Sequence, residues 1–254
     1  MHPSLTLLSL FSSSLLAPPW KVQRLRTFVD EHLVRRKEQA NAPNGSKEEP
    51  AALAAFARWF GAVRERHRRY DLKLDSAEPV VHEALRTICA ALSPILEQTL
   101  TSDAIIVELS TLISDPGTNE QQWHSDSVLP SKCGASLITC FVALQDIDVN
   151  MGPTRLLPRT HNEKSHMRLR DPQPSAGTRR YRNAAAKLAV DMSCGAGDVY
   201  MMDSRLWHRG GGNASQRRRR LLYVTFGVPY CRPEGSTYSM LEELKGRLKL
   251  RDFV

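Results

Sequence analysis

The sequence predicts a mainly β protein, a jelly roll buttressed by helices at its N-terminal end. Apolar residues recur at helical spacing over residues 20–40, 51–70 and 78–99. After Thr101 the apolar residues gather in short β-rich runs instead. Turn-forming stretches such as residues 115–119 separate these runs. Helices followed by many short strands are typical of this architecture.

The third helical segment has the clearest pattern. Its apolar residues trace one stripe along a helix: Val81, Leu85, Ile88, Leu92 and Ile95. Residues 51–70 are Ala-rich and carry aromatic residues at helical spacing, so a helix with one apolar face is expected there. Residues 41–50 consist of turn formers and charges, which indicates an exposed loop or linker.

Strands are expected at short β-rich runs after residue 104. They are predicted at residues 105–112, around His124, and at 136–147, 154–157, 188–192, 199–202 and 219–228. The polar, basic segment 162–187 is long for a loop, which indicates a lid or a disordered stretch. The loop 127–133 is a second candidate lid, and residues 239–250 have helical spacing.

The length of 254 residues fits one large domain. We expect residues 1–19 to be a flexible or targeting N-terminus and residues 20–254 to form a single domain, with the jelly-roll core at about 101–230. Residues 1–19 are rich in Leu and Ser, but no Lys or Arg precedes the apolar stretch as a signal peptide would require. A cytoplasmic location is therefore expected, with organelle targeting as the alternative.

The net charge of +8 raises the question of nucleic-acid binding. The excess lies in three patches, residues 64–69, 179–182 and 217–220, and such patches can neutralise phosphates. A solvated cationic surface is the favoured interpretation, because no basic motif interleaved with aromatic residues appears. Nucleic acid is not the expected partner, and no apolar run is long enough for a convincing membrane span.

The five cysteines contain no Cys-x-x-Cys pair, and their number is odd. This argues against a disulfide framework and against a structural zinc site. Unpaired cysteines are usually small buried residues, and a reducing compartment is expected.

One short motif carries the chemistry. His124 and Asp126 are two residues apart, so on a strand both side chains point to the same side. His208 offers a second imidazole far downstream. Two imidazoles and one carboxylate form the facial triad of non-haem Fe(II) oxygenases. The alternatives are buried, hydrogen-bonded core histidines and a carboxylate that caps a turn.

Four blocks in order resemble the phytanoyl-CoA dioxygenase family of Fe(II)/2-oxoglutarate oxygenases. They are residues 124–126, 151–161, 197–203 and 207–220, and the resemblance covers roughly residues 80–230. It implies a double-stranded β-helix, a cupin-like jelly roll. It also implies Fe(II), 2-oxoglutarate and O2 as cofactor and cosubstrates, with His124, Asp126 and His208 as the iron ligands.

The resemblance also points to residues that bind the cosubstrate. The family places an arginine for the distal carboxylate eleven residues after the second histidine, which selects Arg219. Strand alternation places Arg218 and Arg220 on the opposite face, so they are expected to be surface charge, as is Arg217. In one branch of the family, residues matching Gln121 and Thr154 contact 2-oxoglutarate as well, although ordinary strand or turn polarity explains either residue equally well.

The implied function is a dioxygenase that hydroxylates a small organic or acyl substrate with release of succinate and CO2. Arginines of segment 162–187 could meet an anionic substrate such as a CoA thioester, but solvated loop positions are preferred. A metal-binding jelly roll without oxygenase activity and a basic, nucleic-acid-associated oxygenase stay open as alternatives. The substrate itself and the oligomeric state do not follow from these patterns.

Overall fold

A computed structural model describes most of the chain. The described residues are 9–11, 19–40, 50–129, 137–231, 233–236 and 238–254. Much of the predicted N-terminal segment 1–19 and part of the predicted lid 127–133 lie outside them, so the predicted domain boundaries stay predictions.

Three helices precede most of the strands: α1 (Pro19–Ala40), α2 (Pro50–Trp59) and α3 (Pro79–Thr99). Helix α3 begins with a proline at its first turn, where a missing N–H costs nothing, and it buries the predicted apolar stripe. Helix α2 ends at Trp59, so the prediction of a helix as far as residue 70 is wrong. The residues that follow pair with a strand instead.

The large sheet is antiparallel and has six strands within the described residues, in the order β1-β7-β4-β9-β3-β2. Its strands are β1 (Ser9–Phe11), β2 (Arg69–Lys73), β3 (Ile105–Ser114), β4 (Ile138–Ala143), β7 (Val199–Asp203) and β9 (Arg219–Gly227). A smaller sheet has the order β6-β5-β8. It contains β5 (Thr154–Leu156), β6 (Val190–Asp191) and β8 (His208–Gly210).

The pairing register of β2, β3 and β9 brings several polar side chains together on one face of the sheet. Ser114 lies opposite Arg219 on one side and opposite Arg69 on the other. Glu108 lies opposite Thr225 at the other end of the β3–β9 ladder. Residues two apart on a strand share a face, so polar side chains from Arg219 to Glu108 lie along one face of the ladder, interrupted by the Leu112–Leu221 pair.

The strands alternate between two apolar cores. On β4, Cys140 and Val142 pack into a cluster with α1 and α3, whereas Phe141 and Ala143 pack into a second cluster with residues of the smaller sheet. This period-two division explains why the strand is buried on both faces. The sheets and the N-terminal helices confirm the predicted helix-buttressed jelly roll.

Two other segments differ from their predictions. Residues 162–187 form helices α4 (Glu163–Arg170) and α5 (Ala176–Lys187), each with a side-chain cap at its start. The tail forms two short 3-10 turns, Glu242–Leu244 and Leu250–Phe253, rather than a helix. Gly246 between them has φ +71°, which interrupts helical geometry.

The cysteines differ in state. Cys89, Cys140 and Cys194 are free thiols, whereas Cys231 is disulfide-bonded. The prediction of unpaired cysteines is therefore wrong at Cys231, and the cytoplasmic location stays a prediction. Among helices of the described residues, none has both the length and the apolar character needed to cross a membrane.

Candidate active site

The two predicted histidines pair with each other through their backbones in an antiparallel bridge. The His124 N–H donates to the His208 carbonyl at 2.9 Å, and the His208 N–H donates to the His124 carbonyl at 2.7 Å. This isolated bridge extends the smaller sheet beyond β8. The two imidazole centroids lie 4.4 Å apart as a result. Asp126 is held next to them because its N–H donates to the Ser204 carbonyl at 2.9 Å.

Both imidazoles turn the same nitrogen toward the carboxylate. His124 Nε2 lies 3.8 Å from Asp126 Oδ1, and His208 Nε2 lies 3.5 Å from Asp126 Oδ2. Each Nδ1 faces a backbone carbonyl, that of Gln122 at 2.8 Å and that of Leu206 at 2.9 Å. A carbonyl only accepts, so each Nδ1 carries the proton and each Nε2 keeps its lone pair for a metal.

The three residues fit a divalent metal ion. One ligand atom from each of His124, Asp126 and His208 lies within 4.8 Å of the other two. Burial, together with the neighbouring His208 ring, lowers the pKa of His124 to about 4, so this ring is neutral at physiological pH. Two imidazoles and one carboxylate are the donor set of non-haem Fe(II) sites. The predicted triad residues are thus brought together.

These residues line a cavity of about 340 Å³, within the size range of small-molecule sites. Arg219 lines the same cavity and is only 2% exposed. Its guanidinium donates to the Gly152 carbonyl and to Ser114 Oγ at 3.0 Å, while its Nε has no partner among the described residues.

A second buried guanidinium lies beside Arg219. Arg69 is 3% exposed, lines the cavity and also donates to Ser114 Oγ, at 3.4 Å. Burial and the charge of Arg219 lower the pKa of Arg69 to about 10. Within the described residues neither arginine forms an ion pair with an acidic side chain, although buried charges are normally paired. The pair therefore fits a carboxylate of a ligand.

Gln121 and Thr154 also line the cavity. Gln121 accepts from the Gly210 N–H at 2.8 Å and donates to the Arg64 carbonyl at 2.9 Å, so it braces the strand that follows His208. The Thr154 hydroxyl accepts from the Tyr200 hydroxyl at 2.9 Å, which leaves its own proton available to a ligand. Both positions are compatible with the predicted contacts to 2-oxoglutarate, which stay predictions.

Gly152 is required where the chain closes behind Arg219. Its φ is +66°, and a Cβ added there would lie 2.2 Å from the Gly212 carbonyl oxygen. A residue with a side chain cannot approach so closely. The glycine thus lets its carbonyl reach the Arg219 guanidinium.

The other three arginines of the run 217–220 point away from the cavity. Arg218 bonds Asp115 at 2.5 Å and Asp30 at 3.2 Å, and Arg220 bonds Asp30 at 2.7 Å. Arg217 bonds Asp148 at 3.0 Å and is mostly exposed. Plain surface charge is thus correct for Arg217 only, because Arg218 and Arg220 fasten α1 to the sheet.

Sequence reasoning missed four charged residues that line the cavity: Arg64, Arg69, Asp71 and Glu108. Arg69 was grouped with a solvated basic patch, and Asp71 was not singled out. Two signals were present. The charged residues Arg69, Asp71 and Lys73 alternate as in a strand, and Glu108 interrupts an otherwise apolar run. A charge at a buried strand position usually serves a site.

With this geometry established, the comparisons with known proteins become informative. The family model of phytanoyl-CoA dioxygenase matches residues 13–221, most of the chain. The chain belongs to the phytanoyl-CoA dioxygenase family. The predicted resemblance is confirmed, and with it the class of Fe(II)- and 2-oxoglutarate-dependent dioxygenases at the level of the family.

One similar protein is the dioxygenase af480 of Aspergillus fumigatus, which is 26% identical over 146 residues. The aligned part is 54% of this chain and 42% of that protein, so the match spans less than half of the relative.

Solved structures support the fold. HygX from Streptomyces hygroscopicus, with nickel and 2-oxoglutarate bound, has a TM-score of 0.55. The match has 13% identity and covers 94% of this chain and 92% of HygX. SnoK, a non-haem α-ketoglutarate-dependent carbocyclase from nogalamycin biosynthesis, gives 0.54 with 16% identity over 85% and 78%. At these identities the likeness establishes the fold only.

Proposed function

We propose that this protein is an Fe(II)- and 2-oxoglutarate-dependent dioxygenase that hydroxylates a small organic substrate and releases succinate and CO2. The observation that carries the proposal is the shared cavity. Two imidazole Nε2 atoms and one carboxylate converge within 4.8 Å, and a buried guanidinium without an acidic partner among the described residues lines the same space.

Each residue has a distinct role in this proposal. His124, Asp126 and His208 would hold the iron, and the carbonyls of Gln122 and Leu206 fix the two rings through Nδ1. A facial triad of this kind would leave positions free for the 2-oxo acid and for O2. When bound, the iron supplies the oxygen chemistry that couples substrate oxidation to decarboxylation of the cosubstrate.

Arg219 would anchor the distal carboxylate of 2-oxoglutarate, with Arg69 beside it. A guanidinium binds a carboxylate through two parallel hydrogen bonds, and burial strengthens the attraction by excluding water. Gln121 and Thr154 would complete this end of the cavity. The polypeptide thereby orients the cosubstrate and keeps water away from it.

The substrate is proposed to be a small molecule. The cavity of about 340 Å³ must hold the cosubstrate as well as the reacting part of the substrate. The predicted lid segment, residues 162–187, contributes none of the cavity-lining residues among the described part of the chain. The lining of this cavity therefore gives no support to a substrate contact by its arginines. Of the basic run 217–220, Arg217, Arg218 and Arg220 are ion-paired, which gives no support to nucleic acid as a partner.

An anaerobic titration tests the proposal. The purified protein is mixed with Fe(II), 2-oxoglutarate is added, and the visible metal-to-ligand charge-transfer absorption is followed. A saturable band, absent in the His208→Ala variant, is the expected result. After admission of O2, succinate release that requires both iron and 2-oxoglutarate separates a dioxygenase from a metal-binding jelly roll without activity. An intact protein that does not hold iron would refute the proposal.

A further inference from the structure

The floor of the cavity has two ends of opposite charge. Arg69 and Arg219 lie at one end, on either side of Ser114. Glu108, six residues before Ser114 on β3, lines the other end. Asp71 lies between the two ends, opposite Leu112, and its carboxylate is turned toward the Glu108 end because it contacts Ser110. The proposed cosubstrate uses the cationic end and leaves the acidic end without an assigned role.

Hydroxyl groups surround the first acid of this end. Asp71 Oδ1 accepts from Ser110 Oγ and from the Tyr223 hydroxyl at 2.9 Å, and Oδ2 accepts from Ser239 Oγ at 2.5 Å. Asp71 is 2% exposed, and burial raises its pKa. These bonds hold Asp71 rigidly, so we regard it as a positioning residue for Tyr223 and Ser239, which also line the cavity.

Glu108 differs from Asp71 because its side chain remains partly accessible. It lines the cavity, accepts from the Thr225 hydroxyl at 2.6 Å and accepts from the Ser239 N–H at 3.2 Å. The β3–β9 register shifts between Ile106 and Glu108. Such bulges re-aim side chains and occur next to active sites. Here the bulge lies directly before the acid that faces the cavity.

The electrostatic cost of Glu108 argues against a purely structural role. Burial raises its pKa to about 7. An acid kept in an unfavourable environment inside a cavity is a mark of a functional site.

We propose that Glu108 binds the substrate, and that the substrate is a small molecule that presents a hydrogen-bond donor, an ammonium or a hydroxyl group, to this carboxyl. The inference rests on the proposed function, because it names the substrate class of that site. A negatively charged substrate, such as an acyl thioester with phosphate groups, would place like charges together at this end, and such contacts select against a partner. An ammonium group gains a charge-assisted hydrogen bond instead.

The test compares three probes with one carbon frame: cyclohexylamine, cyclohexanol and cyclohexanecarboxylate. Binding is measured by saturation-transfer NMR and calorimetry on protein loaded with Ni(II), which does not turn over, and 2-oxoglutarate. The variants are Glu108→Gln, which keeps the shape and an acceptor oxygen, and Glu97→Gln, a matched control at an exposed position on α3.

We expect the amine to bind about tenfold more tightly than the alcohol, since hydrogen bonds to charged groups are the stronger ones, with the carboxylate weakest. Glu108→Gln should remove most of the preference for the amine and leave 2-oxoglutarate affinity unchanged, while Glu97→Gln behaves as wild type. If Glu108→Gln folds poorly, Glu108→Asp keeps the charge and should keep the order of the probes. The wild-type comparison needs no variant.

Equal binding of carboxylate and amine by the wild-type protein would overturn the inference, as would an unchanged preference in Glu108→Gln. Failure of 2-oxoglutarate to bind is a different result, which counts against the proposed function. In that case, binding of the amine and the alcohol to protein without 2-oxoglutarate still tests the role of Glu108. Neither probe carries a carboxylate that could occupy the arginine end.

Discussion

Replacement of Arg219 by alanine tests the cosubstrate end of the site most directly. The guanidinium is 2% exposed and has no acidic partner among the described residues. In the proposed complex it pairs with the distal carboxylate of 2-oxoglutarate. Truncating one member of a buried, hydrogen-bonded charge pair costs about 2–5 kcal/mol. This corresponds to a rise in Kd of roughly 30-fold to several thousandfold.

The lower part of this range applies here because Arg69 stays in place beside the vacated position. We therefore expect Arg219→Ala to raise the Kd for 2-oxoglutarate by about 30- to 100-fold. Arg219→Lys keeps the charge but loses the two-pronged geometry, so its effect should be intermediate. Arg218→Ala is the matched control, since Arg218 bonds Asp30 and Asp115 away from the cavity.

The assay is the anaerobic titration of Fe(II)-loaded protein with 2-oxoglutarate, followed by absorbance and, with Ni(II), by calorimetry. Arg218→Ala should lower the melting temperature without a change in Kd, because it removes ion pairs between α1 and the sheet. Equal effects of the two alanine substitutions on Kd would show that the wrong arginine was assigned. A Kd for Arg219→Ala within threefold of wild type would refute the buried-pair reasoning itself.

Three further predictions follow from individual positions. Gly152→Ala should lower the melting temperature sharply and weaken 2-oxoglutarate binding, because the added Cβ would meet the Gly212 carbonyl. Gly246→Ala is the control, because Gly246 also has a positive φ, +71°, but has nothing within 4 Å of an added Cβ. It should lower the free energy of unfolding by only about 1–2 kcal/mol. Burial lowers the pKa of His32 from 6.5 to about 4, so the free energy of unfolding should fall as pH drops from 6.5 to 4. This group contributes at most about 3 kcal/mol to that fall. In urea titrations, His32→Gln should show a weaker dependence of the free energy of unfolding on pH. Burial raises the pKa of Glu108 from 4.5 to about 7, so between these pH values the folded state binds a proton that the unfolded state releases, and the free energy of unfolding falls as pH rises. At pH 8 the free energy of unfolding of Glu108→Gln should therefore exceed that of wild type by up to about 3 kcal/mol, whereas at pH 4.5 the two should agree.

The sequence was sufficient for the features that depend on local pattern. The stripe of α3 follows from 3.6-residue periodicity, and the shared direction of His124 and Asp126 follows from their spacing. That His208 would meet them came from the family resemblance, since nothing in the local sequence fixes a bridge between residues 124 and 208. The structure supplies that bridge through two backbone hydrogen bonds.

Two of the failures have a common cause, which is strand pairing between distant segments. The helix predicted over residues 51–70 ends at Trp59. Phe60 pairs with Leu72, and Arg69 begins β2, because strand pairing outweighs local helix propensity. The same pairing buries Arg69 beside Arg219, so a residue that belongs to a basic run in the sequence becomes part of the cavity. A charge run alone does not show which of its members is buried.

The separation of charges along the β3–β9 ladder links the two proposals. Two buried guanidinium groups that share the Ser114 hydroxyl repel each other, and burial of each costs several kcal/mol unless an anion is present. A dicarboxylate can offset that cost at the Arg219 end, whereas Asp71 and Glu108 disfavour it at the other end. In the proposed complex, this arrangement favours one direction of 2-oxoglutarate in the cavity. The proposed substrate would then lie near the acids and would have to be compatible with their charge.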